Sequence, residues 1–183
     1  MLHQTDADNH RLVTDAVHKN GGKIAMQILH AGRYAYSPDC VAPSAVKSPI
    51  SPFVPIALDD EGINKQIDDF VNCAQLAKSA GYDGIEIMGS EGYFINQFLV
   101  EHTNKREDTW GGSYKNRMRL PITIVEKIRS ALGENFLLIF RLSMIDLIPN
   151  GSSHDEVVIL AKKLEAAGIN IINTGIGWHE ARI

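Results

Sequence analysis

The feature that most constrains the fold of this chain is a regular alternation of short apolar runs with longer amphipathic stretches. Four runs rich in Ile, Leu, Phe and Met, without strict polar alternation, predict buried parallel strands at residues 24–29, 84–88, 136–140 and 169–172. Apolar residues at helical spacing predict helices before and between these strands. The resulting order, α-β-α-β-α-β-α-β, requires a parallel sheet with right-handed crossovers.

Capping residues and glycines mark the boundaries of the predicted helices. One helix is expected around residues 10–18, and three more have candidate N-caps at Asp59 or Asp60, at Ser113, and at Ser152 or Ser153. Glycines lie a few residues before each strand, at Gly21-Gly22, Gly81, Gly133 and Gly168. The turns into the strands are therefore short and the loops out of them long. This asymmetry predicts a functional site at the C-terminal ends of the strands.

Two fold classes obey this pattern, the (β/α)₈ barrel and the doubly wound sheet. No glycine-rich nucleotide motif follows any predicted strand, which weakens the doubly wound alternative. The chain has 183 residues, whereas a barrel typically needs about 250. We therefore expect part of an α/β barrel, with about four βα units.

Composition and charge narrow the classes of partner and compartment. The net charge of −4 does not suggest a nucleic-acid or membrane-surface role. Cys40 and Cys73 form no CxxC motif and are interpreted as free thiols, so we expect neither a metal site nor an iron–sulfur cluster in this segment. With no membrane-length apolar run and no secretory signal in the sequence, the cytoplasm is the default expectation.

Several polar residues stand at the predicted strand ends, where a site is expected. Gln27 lies inside an apolar run, as either a core amide bonded to backbone or a ligand contact. Arg141 follows the third run and needs an anion, which is either a carboxylate such as Glu86 or an electron-rich cofactor. The loop after the first strand holds five of the seven prolines and predicts a stiff, ordered cover.

The second and fourth strand ends carry candidates for proton transfer. A phenol such as Tyr93 can donate a proton to a carbanion or enolate, although a lone Tyr is more often a packed residue. Glu91 can tune that proton or begin a helix, and His179 can orient Tyr93 or be a surface histidine. Within residues 94–119 we expect ion pairs and caps rather than catalysts from five residues, namely Arg106, Asp108, Asn116, Arg117 and Arg119.

Five strings carry a resemblance to a known family: QILHAGR at 27–33, EIMGSEGYFINQFL at 86–99, TNKREDTWGGSYKNRMR at 103–119, FRLS at 140–143 and NTGIGWHEAR at 173–182. In order and spacing they are similar to the flavin barrel of the old yellow enzyme family. The bacterial 2,4-dienoyl-CoA reductase branch is the most similar, with WHEAR specific to that branch. The resemblance covers nearly the whole chain and implies a (β/α)₈ TIM barrel that binds FMN.

The resemblance also implies roles for individual residues. Gln27 would contact the pyrimidine edge of the flavin and Arg141 its N1 and O2, where reduction builds negative charge. Tyr93 matches the proton donor and His179 its partner. The residues that match substrate-contacting positions are Glu91, His102, Thr103, Asn104, Lys105, Glu180, Ala181 and Arg182.

Two departures from the family pattern bear on the substrate. Met88 and Glu91 stand where typical members place a His and an Asn that grip a carbonyl oxygen, so small enones are poor candidates; the dienoyl-CoA branch shares this departure. His102 stands where an arginine is expected. The resemblance therefore implies reduction of a conjugated acyl-CoA thioester, with hydride from flavin N5 and a proton from Tyr93 assisted by His179.

The same resemblance implies that residues 1–183 are the central part of an FMN barrel domain. Two flanking strands on each side, the flavin phosphate site, and any FAD, 4Fe-4S cluster and NADPH sites would lie outside this segment. We expect the segment alone to bind FMN weakly and to fold poorly. The alternatives are an NADH:flavin oxidoreductase that acts on another conjugated substrate, and a non-catalytic truncated barrel module. The sequence does not fix the oligomeric state.

Overall fold

The computed structural model describes Met1 and residues 3–181. Its elements, in chain order, are α1 (Gln4–Lys19), β1 (Ala25–Ile28), β2 (Val41–Ala42), β3 (Ile56–Ala57), α2 (Asp60–Ser79), β4 (Gly84–Gly89), α3 (Phe94–Leu99), α4 (Tyr114–Arg117), α5 (Arg119–Leu132), β5 (Leu137–Ile145), α6 (His154–Ala166) and β6 (Ile171–Ile176). A 3₁₀ turn at Gly32–Tyr34 follows β1.

The main sheet has four strands in the order β1-β4-β5-β6, and every neighbouring pair is parallel. The predicted parallel sheet with helical crossovers is therefore confirmed. β5 and β6 extend several residues beyond the predicted ends, through Arg141 and Asn173. The backbone ladder continues there because these polar side chains lie on one face of the sheet and do not interrupt its hydrogen bonds.

The core lies between the sheet and its helices. Ile85 and Ile87 of β4 and Phe140 of β5 are fully buried, as are Ile63 and Ile67 on α2, at the helical spacing that the sequence predicted. Each such side chain contributes about 1.5–3 kcal/mol relative to exposure. This packing fixes the strands and thereby the positions of their C-terminal ends.

The predicted helix caps are present. Asp59 accepts a hydrogen bond from the Gly62 amide at 2.8 Å, and Ser153 forms a capping box with Glu156. Ser113 also caps a helix, but the predicted helix is divided at Met118 into α4 and α5. The first helix begins at Gln4, earlier than the apolar spacing indicated.

The segment from residue 94 to 119 contains the predicted network of ion pairs. Arg106 bonds Asp108 and the carbonyl of Pro43, and Arg117 bonds Glu156 at 2.8 Å. These contacts confirm the prediction that Arg106, Asp108 and Arg117 form ion pairs. The buried helix α3 was not predicted, because a six-residue helix with buried Asn96 and Gln97 gives too short an apolar pattern.

The loop between β1 and α2 carries a short sheet of its own. Within it β2 and β3 form a two-residue parallel pair. Cys40 is buried and Cys73 on α2 is half-buried, and both are free thiols.

None of the helices described is both long and apolar enough to span a bilayer. In residues 1 and 3–181 no cluster of three or more His, Cys, Asp or Glu side chains is suited to a metal ion.

Candidate active site

The C-terminal ends of β4, β5 and β6 bring four predicted site residues together. Glu91 and Tyr93 follow β4, Arg141 lies in β5, and His179 follows β6. Met88 of β4 is paired with Arg141 in the sheet register. Because parallel strands end at one edge of the sheet, residues distant in sequence meet at this edge.

Glu91 lies at the centre of this group. Its Oε1 accepts hydrogen bonds from Arg141 Nε, at 2.9 Å, and from Arg141 Nη2. Its Oε2 lies 3.8 Å from His179 Nε2, and its backbone carbonyl accepts from the His179 amide at 3.4 Å. Arg141 is therefore paired with Glu91, and not with Glu86 as one sequence-based interpretation proposed.

Tyr93 and His179 face each other beside this carboxylate. Their ring centroids are 5.0 Å apart and their planes meet at 69°. Burial, and secondarily the negative charge of Glu91, raises the pKa of the Tyr93 hydroxyl above its ordinary value. In the described part of the chain this hydroxyl has no hydrogen-bond partner. A half-buried phenol that keeps its proton beside a histidine has the chemistry of a general acid.

Gln27, Glu86 and Asn173 form a polar group on the same face of the sheet as Arg141. Its Nε2 donates to Glu86 Oε2 at 2.7 Å, and Asn173 Nδ2 donates to Glu86 Oε1 at 2.6 Å. Because β4 and β6 are separated by β5, the bond from Asn173 to Glu86 crosses a concave face. Gln27 and Asn173 are exposed there, and Arg141 is the register partner of Asn173.

The predicted substrate segment 102–105 is held by hydrogen bonds to neighbouring backbone carbonyls. Thr103 Oγ1 donates to the Gln97 carbonyl at 2.7 Å, and Asn104 Nδ2 donates to the carbonyls of Phe98 and Trp110. Both side chains are buried, so the structure gives them a role in shaping this segment. His102 and Lys105 remain partly accessible.

Glu180 is buried in an ion pair that sequence reasoning did not find. Both of its oxygens lie 2.6 Å from Arg33 Nη2, and the Tyr34 hydroxyl donates to Oε2 at 2.8 Å. Ala181 packs against the core, and Arg182 lies outside the described residues. A charged Arg33 in the loop that follows an apolar strand was the available signal, but its partner is 147 residues away.

Asp146 is a second buried residue that the sequence reasoning missed. Its Oδ1 accepts hydrogen bonds from Trp178 Nε1 at 2.9 Å and from Ser143 Oγ at 2.7 Å. Asn96 Nδ2 also donates to it, at 3.2 Å, and its carbonyl accepts from the Trp178 amide. Asp146 thereby fixes the residue that precedes His179.

Comparison with known proteins places this geometry in context. The model of the NADH:flavin oxidoreductase / NADH oxidase family matches residues 1–183. The chain is 39% identical over 175 residues to an NADH oxidase from Thermoanaerobacter brockii, covering 92% of this chain and 27% of that protein. It thus spans about a quarter of the length of this relative.

Two solved structures share the fold. A 2-naphthoyl-CoA reductase in complex with 2-naphthoyl-CoA superposes with a TM-score of 0.92 at 32% identity, covering 98% of this chain and 30% of the other. The old yellow enzyme homologue from Zymomonas mobilis superposes with a TM-score of 0.85, also at 32% identity, covering 93% of this chain and 52% of the other. The four βα units described above are therefore part of a (β/α)₈ TIM barrel.

Proposed function

Since the chain belongs to the NADH:flavin oxidoreductase / NADH oxidase family, we propose that the complete protein is an FMN-dependent NAD(P)H oxidoreductase. We propose further that it reduces a conjugated double bond of an unsaturated acyl-CoA thioester, as a 2,4-dienoyl-CoA reductase does. The single observation that supports this most strongly is the contact of Tyr93 with His179 beside the Glu91–Arg141 pair.

The concave face fits the polar edge of a flavin. Gln27 donates one N–H to Glu86, which leaves its exposed amide oxygen for a ring N–H. Arg141 directs Nε and Nη2 to Glu91, and its Nη1 has no protein partner within residues 1 and 3–181. Gln27 and Arg141 would hold the ring. When bound, FMN would supply the hydride for reduction of the double bond.

The chain's own residues would manage charge and protons. The Arg141 guanidinium is a fixed positive charge that stabilises negative charge on a neighbouring ring without reorganisation. The Glu91 carboxylate holds this guanidinium in place and also approaches His179. Tyr93 would donate the proton to the substrate carbon, and His179 would orient the phenol and return its proton.

The substrate class is supported by what stands beside Tyr93. Met88 is apolar and Glu91 is engaged by Arg141, so neither offers a hydrogen-bond donor to the carbonyl oxygen of a small enone. The structural neighbour crystallised with 2-naphthoyl-CoA is an example of this fold with a CoA thioester. We propose His102 and Lys105 as direct contacts of the thioester, with Thr103, Asn104, Ala181 and Arg182 completing that region.

Other cofactors and the compartment remain part of the proposal. NADPH as the electron source, with FAD and a 4Fe-4S cluster as carriers, would be bound outside residues 1–183. The free Cys40 and Cys73 favour a reducing compartment such as the cytoplasm. A second candidate is oxidation of NADH with another conjugated acceptor, which the similarity to an NADH oxidase favours.

Anaerobic half-reactions of the full-length protein test the proposal. A 2,4-dienoyl-CoA should reoxidise the reduced protein rapidly, which is followed in the flavin spectrum. Tyr93→Phe should slow this step by about 10²–10⁴-fold, because it removes the general acid, while reduction by the nicotinamide remains intact.

The matched control is Tyr36→Phe, which removes the hydroxyl of a tyrosine that is 81% exposed and should leave both half-reactions unchanged. Equal losses of both half-reactions in Tyr93→Phe would contradict the proton-donor role. Fast reoxidation by conjugated acceptors other than CoA thioesters, without reaction of the thioester, would support the second candidate.

A further inference from the structure

We infer that Glu180 is a positioning residue, which through its buried bonds to Arg33 and Tyr34 holds His179 against Tyr93. The inference rests on the proposed function of Tyr93 and His179 and adds the element that sets their geometry. It assigns Glu180 a role different from direct contact with the substrate.

The Glu180 carboxylate is engaged by other residues of the protein. Its side chain is 6% exposed and that of Arg33 is 1% exposed. Arg33 Nη2 is bonded to both carboxylate oxygens, and Arg33 Nη1 donates to the Lys47 carbonyl at 3.0 Å. Tyr34 also donates to Oε2, and His102 Nε2 lies 3.5 Å from Oε1. This buried, charge-assisted contact therefore leaves little of the carboxylate for a ligand.

Glu180 is linked to an aromatic wall, which consists of Tyr34, Trp178 and His179. The Tyr34 hydroxyl donates to Glu180 Oε2 at 2.8 Å. The Tyr34 ring meets those of Tyr93, His179 and Trp178 edge-on, at centroid distances of 5.9, 6.2 and 6.4 Å. Burial, assisted by Glu180, raises the pKa of Tyr34, so this phenol remains a hydrogen-bond donor to the carboxylate.

Gly92 fits tightly against this wall. A Cβ atom on Gly92 would lie 2.4 Å from the Tyr34 hydroxyl and 2.6 Å from Trp178 Cε3. The backbone of Gly92 has φ +83°, in the left-handed region. The strand end that carries Tyr93 is therefore packed directly against the residues that Glu180 orders.

His179 is held from two sides through its neighbours in sequence. Before it, Trp178 is bonded to Asp146 through Nε1 and through the backbone amide. After it, Glu180 is bonded to Arg33 and Tyr34 on the loop that follows β1. His179 itself is 46% exposed, so its position against Tyr93 depends on both anchors. Loss of the Glu180 anchor frees one side.

The test uses two variants of the full-length holoprotein. Glu180→Gln removes the charge but leaves the buried Arg33 without a counter-charge, which costs stability. Tyr34→Phe preserves the Arg33–Glu180 ion pair and removes only the hydroxyl that links Glu180 to the Tyr34 ring. In each variant, the rate of reoxidation by a saturating 2,4-dienoyl-CoA is measured per bound flavin, together with the substrate dissociation constant, the pH profile of the rate and the rate of flavin reduction.

We expect Glu180→Gln to lower the saturating rate by about 10²-fold, the loss typical of a small misplacement of catalytic groups, with the dissociation constant unchanged. Tyr34→Phe should give a smaller loss of the same kind. The pH profile should change shape in both variants, because the phenol and the imidazole no longer share a fixed geometry. Flavin reduction should be retained.

The controls are Glu126→Gln, at an exposed position of α5, and Tyr36→Phe. A raised dissociation constant with an intact saturating rate would make Glu180 a substrate ligand and overturn the inference. Unchanged rates per flavin and unchanged pH profiles in both variants would also overturn it. If Tyr93→Phe itself left reoxidation fast, the proposed function would fail first, which separates the two failures.

Discussion

At the scale of single residues, the backbone of Glu91 determines where its carboxylate lies. Glu91 has φ 62°, in the left-handed region that non-glycine residues rarely occupy. This turn, directly after β4, brings the side chain between Arg141 and His179. Gly175 of β6 leaves the space, since a Cβ there would lie 3.0 Å from Glu91 Oε1. The unusual conformation is thus part of the site's construction.

The charge of Glu91 yields a prediction about Tyr93. Burial and this charge both raise the pKa of the Tyr93 phenol, because both disfavour the phenolate. Glu91→Gln removes the second cause and keeps the first. The pKa of Tyr93 should therefore fall while staying above the ordinary value, and the alkaline limb of substrate reduction should move to lower pH.

Ultraviolet pH titration measures this change directly, when the spectrum of a matched Tyr93→Phe variant is subtracted to isolate one phenolate. Glu126→Gln, remote and exposed on α5, should leave the titration unaltered. A rise in the Tyr93 pKa in Glu91→Gln would contradict the electrostatic explanation.

At the scale of elements, a clamp at the opposite end of the strands fastens α1 to the sheet. Asp83, just before β4, accepts hydrogen bonds from Lys23 Nζ at 2.9 Å and from the Ile24 amide at 2.9 Å, and its Oδ2 lies 2.8 Å from His18 Nε2. The bonds to Lys23 and His18, with the Ile24 amide, hold the pKa of Asp83 well below its usual range. One carboxylate thus joins α1, β1 and β4.

The depressed pKa predicts a dependence of stability on pH. Asp83 is more acidic in the folded state, so its contribution is complete above the pKa of an unfolded Asp, about 3.9. It is lost as pH falls from there through the lower folded value. Asp83→Asn should lower the free energy of unfolding at neutral pH by about 1 kcal/mol, since the pair is partly exposed.

Denaturant titrations of the parent protein and of Asp83→Asn, at neutral pH and at successively lower pH values, check this expectation. The difference between them should shrink as the medium becomes acidic. Asp155→Asn provides the control, because Asp155 is 96% exposed. A difference that grew on acidification would exclude the clamp as its cause.

Contacts between residues close in sequence were predictable, whereas contacts between residues distant in sequence were not. The caps at Asp59 and Ser153 were predictable because each bonds a backbone amide three residues away. The choice of Glu91 over Glu86 as the partner of Arg141 was not predictable. Glu86 lies in β4 and Glu91 just after it, and the turn at Glu91 brings its carboxylate to Arg141. The local pattern therefore predicted the elements and the strand-end candidates, and the resemblance added their roles.

The pairing of Arg33 with Glu180 is a second contact that the sequence did not predict, and it spans 147 residues. Nothing local in the sequence indicates which of 22 acidic residues neutralises a buried guanidinium. The pairing exists because β1 and β6 end at the same edge and the loop after β1 covers it. An ion pair of this kind can be identified only once the arrangement of the strands in the sheet is known.

At the scale of the whole molecule, the open sheet is the dominant feature. In the described part of the chain β1 and β6 are edge strands, and β6 exposes Ile171, Ile172 and Ile176, at 49%, 36% and 66%. An edge with unpaired backbone groups and apolar side chains is a template for another strand. In a closed barrel, further strands remove such edges.

We therefore predict that residues 1–183, prepared alone, self-associate in a concentration-dependent manner and bind FMN weakly. Ile171→Lys should reduce this association, because a charge on the edge strand opposes strand pairing. Leu12→Lys is the matched control, since Leu12 is 78% exposed and lies on the helix α1 rather than in a strand. Sedimentation velocity at several concentrations compares the three chains. If Leu12→Lys suppresses association as strongly as Ile171→Lys, the helical surface and not the strand edge drives it; a monomeric parent chain with tightly bound FMN would show that the open sheet is stable by itself.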